Sequence, residues 1–165
     1  MKASSRHLEK IPDRREMLHR VARWKFLGKR IVFTNGCFDI LHSGHLELLS
    51  GAAALGDILV VGVNSDASVA RLKGPGRPVN DEGFRARMLA SLSVVDAVCM
   101  FGEDTPAELI SQIVPDVLVK GGDYAPDDIV GAGTVRAMGG EVVVIPLVQG
   151  QSSSNTIERI RRTGK

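Results

Sequence analysis

The sequence predicts a Rossmann-like α/β fold: a doubly wound, five-stranded parallel sheet with helices on both faces. Three observations predict it. Five short apolar runs alternate with helix-like stretches along the chain. The run 58–63 is continuously apolar, as a parallel strand buried on both faces must be. Polar residues collect where these runs end, and that is where open parallel sheets bind ligands. With 165 residues the chain is long enough for one self-supporting core. Residues 1–29 read as an N-terminal helical extension and 30–165 as the α/β domain.

Taken in order, Pro12 and Asp13 supply a helix start, followed by an apolar stripe of Met17, Leu18, Val21, Ala22 and Trp24. Residues 31–34 read as the first strand. Residues 43–55 read as the helix behind it, ended by Gly56. After the strand 58–63, the stretch RLKGPGRPVND reads as a basic loop rich in glycine and proline. Residues 84–91 are expected to be helical, with Arg85 in the first turn, and 97–101 to form the next strand. Thr105-Pro106-Ala107-Glu108 has the form of a capping box with proline at the first helical position. Its helix runs to Val114. Residues 117–119 form a buried strand, 129–138 a helix stopped by Gly139-Gly140, and 142–145 the last strand. A polar loop over 150–154 then leads into a terminal helix over 155–162.

The net charge of +2 hides an uneven distribution, since residues 1–30 carry ten Lys/Arg against three Asp/Glu. Such a run can serve nucleic acid or a membrane surface. Here Glu9, Asp13 and Glu16 interrupt it, and aromatic residues for base stacking make up only 4% of the chain. It reads as a solvated or partner-facing helix, with no nucleic-acid role. No apolar run reaches bilayer length and no signal-peptide core follows Met1. Cys37 and Cys99 make no disulfide framework. The expected place is the cytoplasm, without a membrane partner.

The stretch 34–45, TNGCFDILHSGH, carries the chemistry. A strand, a glycine-bearing turn and a helix start in succession build an anion pocket. The first N–H groups of a helix are unpaired and carry partial positive charge. His42 and His45, three residues apart, fall on one side of that start. Gly44 between them has no Cβ, so a ligand can approach the backbone. The reading is a nucleoside triphosphate site at the C-terminal end of the first strand, with Gly36 and Cys37 in its turn. Attack on a nucleotide α-phosphate by a phosphate monoester needs no general base, because such a group has its second pKa near about 6. It needs positioning, cations and N–H dipoles.

The candidates sort accordingly. His42 and His45 face the triphosphate and the departing pyrophosphate. Lys73, Arg77, Arg85 and Lys120 neutralise the incoming phosphate or the nucleotide. Lys120 follows a buried run, where an unpaired ammonium is costly, and that favours an anion-facing role. Asn64 and Asp66 end the second strand on the same side. Several residues keep two readings. Arg85 either meets an anion or pairs with an acid on a helix face. Asp39 is either the carboxylate nearest a Mg²⁺ carried by ATP or a turn residue bonding backbone N–H groups. Asp123, beside Gly121, either holds a sugar hydroxyl or only turns the chain. Ser152, Ser153 and Ser154 either cap the last helix, through the Asn155-x-x-Glu158 spacing, or clamp phosphates as well. Cys37 is either a thiol with a lowered pKa or a small residue that fits. No protein metal ligands are assigned.

The string G-x-F-D-x-x-H-x-G-H resembles the signature of the HxGH nucleotidyltransferase superfamily. From Lys29 to about residue 160, the stretches IVFTNGCFDILHSGH, VVGVNSDASVARLKGPGRPVN, DVLVKGGDY, GGEVVVIP and SSSNTI are similar to heptose 1-phosphate adenylyltransferases. These are the domains fused to a sugar kinase in many Gram-negative bacteria. The resemblance implies transfer of AMP from ATP to D-glycero-β-D-manno-heptose 1-phosphate, supplying ADP-heptose for lipopolysaccharide. It implies that His42 and His45 stabilise the triphosphate, with Thr34, Asn35 and Phe38 in the same pocket. It also implies that Lys73 and Arg85 match basic positions that contact phosphates. The partners it implies are ATP, heptose 1-phosphate and a second copy in a homodimer, with the N-terminal helix as a candidate contact. The usual Ser-Thr-Thr motif becomes Ser152-Ser153-Ser154, with Thr156 in an apolar place. Too few residues precede Arg30 for a kinase domain, so a single-function form is expected. The competing readings are a cytidylyltransferase for another sugar or polyol phosphate and a non-catalytic nucleotide-binding module.

Overall fold

The computed structural model describes residues 6–146 and 153–163. Strands β1 (Ile31–Gly36), β2 (Ile58–Asn64), β3 (Ala97–Phe101), β4 (Val117–Gly121) and β5 (Glu141–Ile145) form one parallel sheet in the order β3-β2-β1-β4-β5. Phe33 pairs with Val60 on one side and Leu118 on the other, at the centre of the register. The chain winds outward from β1 to β3, then returns to the far side of β1 for β4. The reversal between β1 and β4 opens a crevice at their carboxyl ends.

A parallel sheet must be covered on both faces. Helices α1 (Arg14–Phe26), α5 (Ala107–Ile113) and α6 (Ala132–Ala137) cover one of them. On the other, α2 (Ser43–Ala53) packs Leu48, Leu49 and Ala52, and α4 (Glu82–Ala90) packs Ala86, Leu89 and Ala90. The predicted class and its five strands are present. No helix among the described residues is long and apolar enough to cross a membrane.

The basic N-terminal helix packs on its own sheet. Asp13 caps α1 by accepting from the Glu16 N–H at 2.8 Å. Met17 and Val21 enter the core, while Leu18 and Trp24 pack at its margin. Ala22, read as part of the stripe, is exposed. Burying a side chain such as Met17 is worth about 1.5–3 kcal/mol. Ahead of the helix, Lys10 Nζ donates to the Leu92 and Val95 carbonyls at 3.2 and 2.6 Å.

Several local expectations need correction. Part of the predicted basic loop is helical: α3 (Asp66–Lys73) is capped by Ser65, whose Oγ accepts from the Ser68 N–H. Helix α4 begins two residues early because Asp81 caps it. The capping box at 105–108 does not form. Pro106 is itself the N-cap, without a side-chain bond, and the Glu108 carboxylate accepts from Arg14 and Gln112 instead. Helix α6 is shorter than 129–138, because a 3-10 turn over Pro126–Asp128 precedes it. Helix α7 (Ser153–Thr163) starts earlier than expected, so Asn155 lies inside its first turn. Ser152 and the side chains of Ser153 and Ser154 fall outside the described residues.

Candidate active site

The site begins where β1 runs out. His42 is the N-cap of α2, held in extended backbone, and its side chain accepts from none of the N–H groups that open the helix. The His42 and His45 rings stack with centroids 3.8 Å apart and planes 26° off parallel. The Phe38 ring closes on His45 at 5.2 Å. Phe38 itself has φ +48°, a left-handed conformation that an aromatic residue adopts only under constraint. Gly36 makes room for that ring, since a Cβ there would stand 3.1 Å from it.

Nδ1 of both imidazoles and Oγ1 of Thr34 are buried without a hydrogen-bond partner among the described residues. Burial, reinforced by the His42 charge, lowers the His45 pKa to about 4. Burial lowers that of His42 as well. Both shifts favour the neutral rings at pH 7. An arriving polyanion favours their protonated, doubly donating form.

The histidines open into a cleft of about 540 Å³ at the switch between β1 and β4. Asn35 to Asp39 form its floor, Asn64 borders it, and Lys73, Arg77 and Lys120 bring cations. Lys73, the last residue of α3, has no ion-pair partner among the described residues. Neither has Lys120, whose pKa burial lowers, with Cys37 opposing and Lys73 adding to the shift. The Lys120 ammonium lies 5.9 Å from the centre of the Tyr124 ring.

Arg77 is different. Its Nε donates to Asp39 Oδ2 at 2.7 Å. The buried Asp39 carboxylate also accepts from the Val79 and Asn80 N–H groups, each at 2.9 Å at its nearest. Burial alone would raise the Asp39 pKa, but the bonds from Asn80, Val79 and Arg77 outweigh it and hold the carboxyl below its ordinary value. Its geometry is that of a turn anchor. The Cys37 thiol is pushed up by burial against the pull of Lys73, Arg85 and Arg77, the opposite of an activated thiol.

Other predicted residues stand off the cleft. Arg85 is buried in α4 and pairs with Asp66 at 2.7 Å, so neither reaches the wall. Asn64 reaches it while donating to Ser68 Oγ at 3.0 Å. Thr34 lies buried beneath it and Gly44 is buried in the first turn of α2. Gly121 ends β4, and Asp123 is exposed outside the cleft lining. Sequence reasoning missed Leu72, Asp104, Thr105, Pro106, Tyr124 and Val130 as wall residues. Most follow the carboxyl ends of β3 and β4, a position that could have marked them.

Fold and site together have the form of the Rossmann-like nucleotidyltransferase class. The chain belongs to the cytidylyltransferase-like family, matched over residues 33–159. It is 57% identical over 152 residues to the bifunctional protein HldE of Gluconacetobacter diazotrophicus, covering 92% of this chain and 31% of that one. The bifunctional protein HldE of Azotobacter vinelandii is 60% identical over 135 residues, 82% of this chain and 28% of that one. The chain thus spans about three tenths of the length of these curated relatives. Among solved structures, the lipopolysaccharide core biosynthesis protein from Thermoplasma volcanium matches with TM-score 0.59 and 30% identity, over 75% of this chain and all of that one. A pantoate-beta-alanine ligase from Francisella tularensis, complexed with beta-gamma ATP and beta-alanine, shares the fold alone, at 16% identity and TM-score 0.56 over 92% of this chain and 78% of that one.

Proposed function

We propose that the protein transfers AMP from ATP to D-glycero-β-D-manno-heptose 1-phosphate, giving ADP-heptose and pyrophosphate for lipopolysaccharide assembly. The observation that carries this reading is the stacked His42/His45 pair, with both Nδ1 atoms unpartnered at a helix start on the switch point. The motif resemblance supplies the sugar phosphate. The relatives named bifunctional protein HldE and lipopolysaccharide core biosynthesis protein support it.

An oxygen of the heptose phosphate attacks the α-phosphorus of ATP. The bond from that phosphorus to the bridging oxygen breaks, and pyrophosphate leaves with the electron pair. His42, His45 and the N–H groups opening α2 take up charge on the β- and γ-phosphates. Lys73, Lys120 and Arg77 offset the repulsion between the two phosphates. Mg²⁺ accompanies the triphosphate. No group of three His, Cys, Asp or Glu among the described residues could hold a metal, and the Asp39 oxygens are already bonded. The ion therefore fits as cargo of the phosphate oxygens and water. Asn64, with Asp123 and the serines 152–154, completes the substrate contacts in this reading. The homodimer and the cytoplasmic setting belong to the same proposal, as does the division into residues 1–29 and a nucleotidyltransferase domain over 30–165.

The test is pyrophosphate release with ATP or CTP and each anomer of heptose 1-phosphate. The expected result is release with ATP and the β anomer. A preference for CTP would move the protein to cytidylyl transfer, and no release with any pair would return it to a binding module.

A further inference from the structure

We propose that Arg85 is a positioning residue: it locks the turn at 37–39 and, through that turn, the histidine pair, without touching substrate. The inference rests on the nucleotidyl-transfer reading and changes the part Arg85 takes in it.

A phosphate ligand needs a donor that faces the cleft. The Arg85 side chain is fully buried, and all three of its nitrogens are engaged. Nη1 donates to the Cys37 carbonyl at 2.6 Å, Nε to the Asn80 carbonyl at 3.0 Å and Nη2 to Asp66 Oδ1 at 2.7 Å. These acceptors belong to three separate segments of the site. A planar fork spreads its donors over three nitrogens in fixed directions, whereas the three donors of a lysine leave from one rotating atom.

Two of the contacts close a ring. Asn80 donates its N–H to Asp39 Oδ1 at 2.9 Å and its side-chain amide to the Asp39 carbonyl at 2.6 Å. The circuit from Cys37 through Arg85 and Asn80 to Asp39 therefore clasps Phe38 from both sides. Phe38 is the residue held at φ +48°. A left-handed conformation in a non-glycine residue is unfavourable and persists only where the surroundings over-determine it. The circuit is what over-determines it here. Released, Phe38 would return to ordinary backbone and take its ring away from His45, now 5.2 Å distant.

The third contact reaches another cation. Asp66 opens α3, and its N–H donates to Glu82 Oε2 at 2.7 Å. Arg85 and Glu82 thus fix the start of the helix whose last residue is Lys73. One buried guanidinium sets the histidine turn and the bearing of a phosphate-facing lysine together.

The test is Arg85→Lys, which keeps the charge and loses the fork. Turnover should fall about 10–100-fold, since sub-ångström misplacement has effects of that size, while KM for both substrates stays within about threefold. By NMR, the His45 ring should titrate higher than in the wild type as the loosened turn admits water. A tenfold rise in KM for either substrate with an unmoved His45 titration would make Arg85 a ligand and overturn the proposal. Asn80→Ala, which cuts only the amide link to Asp39, should shift both readouts in the same direction by less, whether or not Arg85→Lys folds. Wild-type values for both would also overturn it. Inactivity of the wild type on every substrate pair would count against the transfer reading alone, because the histidine titration needs no turnover.

Discussion

Lys120 and Arg85 are both cations drawn out of water at the carboxyl edge of one sheet, and their surroundings differ completely. Every nitrogen of Arg85 is bonded to protein, and a carboxylate balances its charge. Lys120, one residue before the end of β4, has no ion-pair partner among the described residues, a pKa lowered by burial, and the Tyr124 ring 5.9 Å from its ammonium. Burial without a partner is tolerated when a ligand completes the site, whereas burial with partners builds the frame around it. The same division separates the histidines, with their unpartnered Nδ1 atoms, from Asp39, whose carboxylate is fully taken up. Partners, more than proximity to the cleft, tell ligand from brace.

The largest effect should come from the unpartnered side. His45→Ala is expected to lower kcat about 10²–10³-fold with a much smaller change in KM, because in the proposed transfer the charge it meets develops during the reaction. Steady-state kinetics would check this, and unchanged turnover would break the comparison at its first term. Next, two methionine substitutions should move stability in opposite directions. Lys120→Met should cripple turnover while raising stability by about 1 kcal/mol, as removal of a strained functional group often does. Arg85→Met should lower stability by about 3 kcal/mol, because it strands two carbonyls and a carboxylate. Urea unfolding of both variants would sharpen the contrast, or erase it if the signs agree.

A smaller effect concerns pH. Burial holds the folded-state pKa of His45 at about 4 against an ordinary 6.5. Between those values the unfolded chain binds the proton more readily than the folded one. The contribution of the neutral ring is therefore fully present above 6.5 and is lost as pH falls toward about 4. A melting-temperature series over this window should fall more steeply for the wild type than for His45→Gln. The smallest effect is a control. Arg71 pairs with Asp104 at 2.7 Å, but the two side chains are 50% and 76% exposed. Arg71→Ala should change stability by less than about 1 kcal/mol in urea unfolding.

What could be read from the sequence follows the range of the interactions. Strands were legible because a parallel strand buried on both faces is apolar at every position, as Leu59 to Val63 show. The histidine turn was legible because its parts lie within a dozen consecutive residues. Helix α3 was not, since eight residues burying only Ser68 and Val69 leave too short a periodic signal. The capping box misled because its pattern is local, while Arg14, 94 residues away, draws off the Glu108 carboxylate. For the same reason the sequence leaves Arg85 open between an anion and an acid, and the structure pairs it with Asp66. Its partners Cys37 and Asp66 lie 48 and 19 residues away, and only the folded chain brings them to it.

The placement of Met17 carries a practical lesson for anyone trimming proteins of this type. A cut before Arg30 looks harmless on paper, because the strand–helix alternation starts there. It would strip a covering layer from Ile31 and Phe33 and leave greasy central strands wet. Shortened versions made for crystallography or screening should keep everything from Leu8 onward, or they will be found in the pellet.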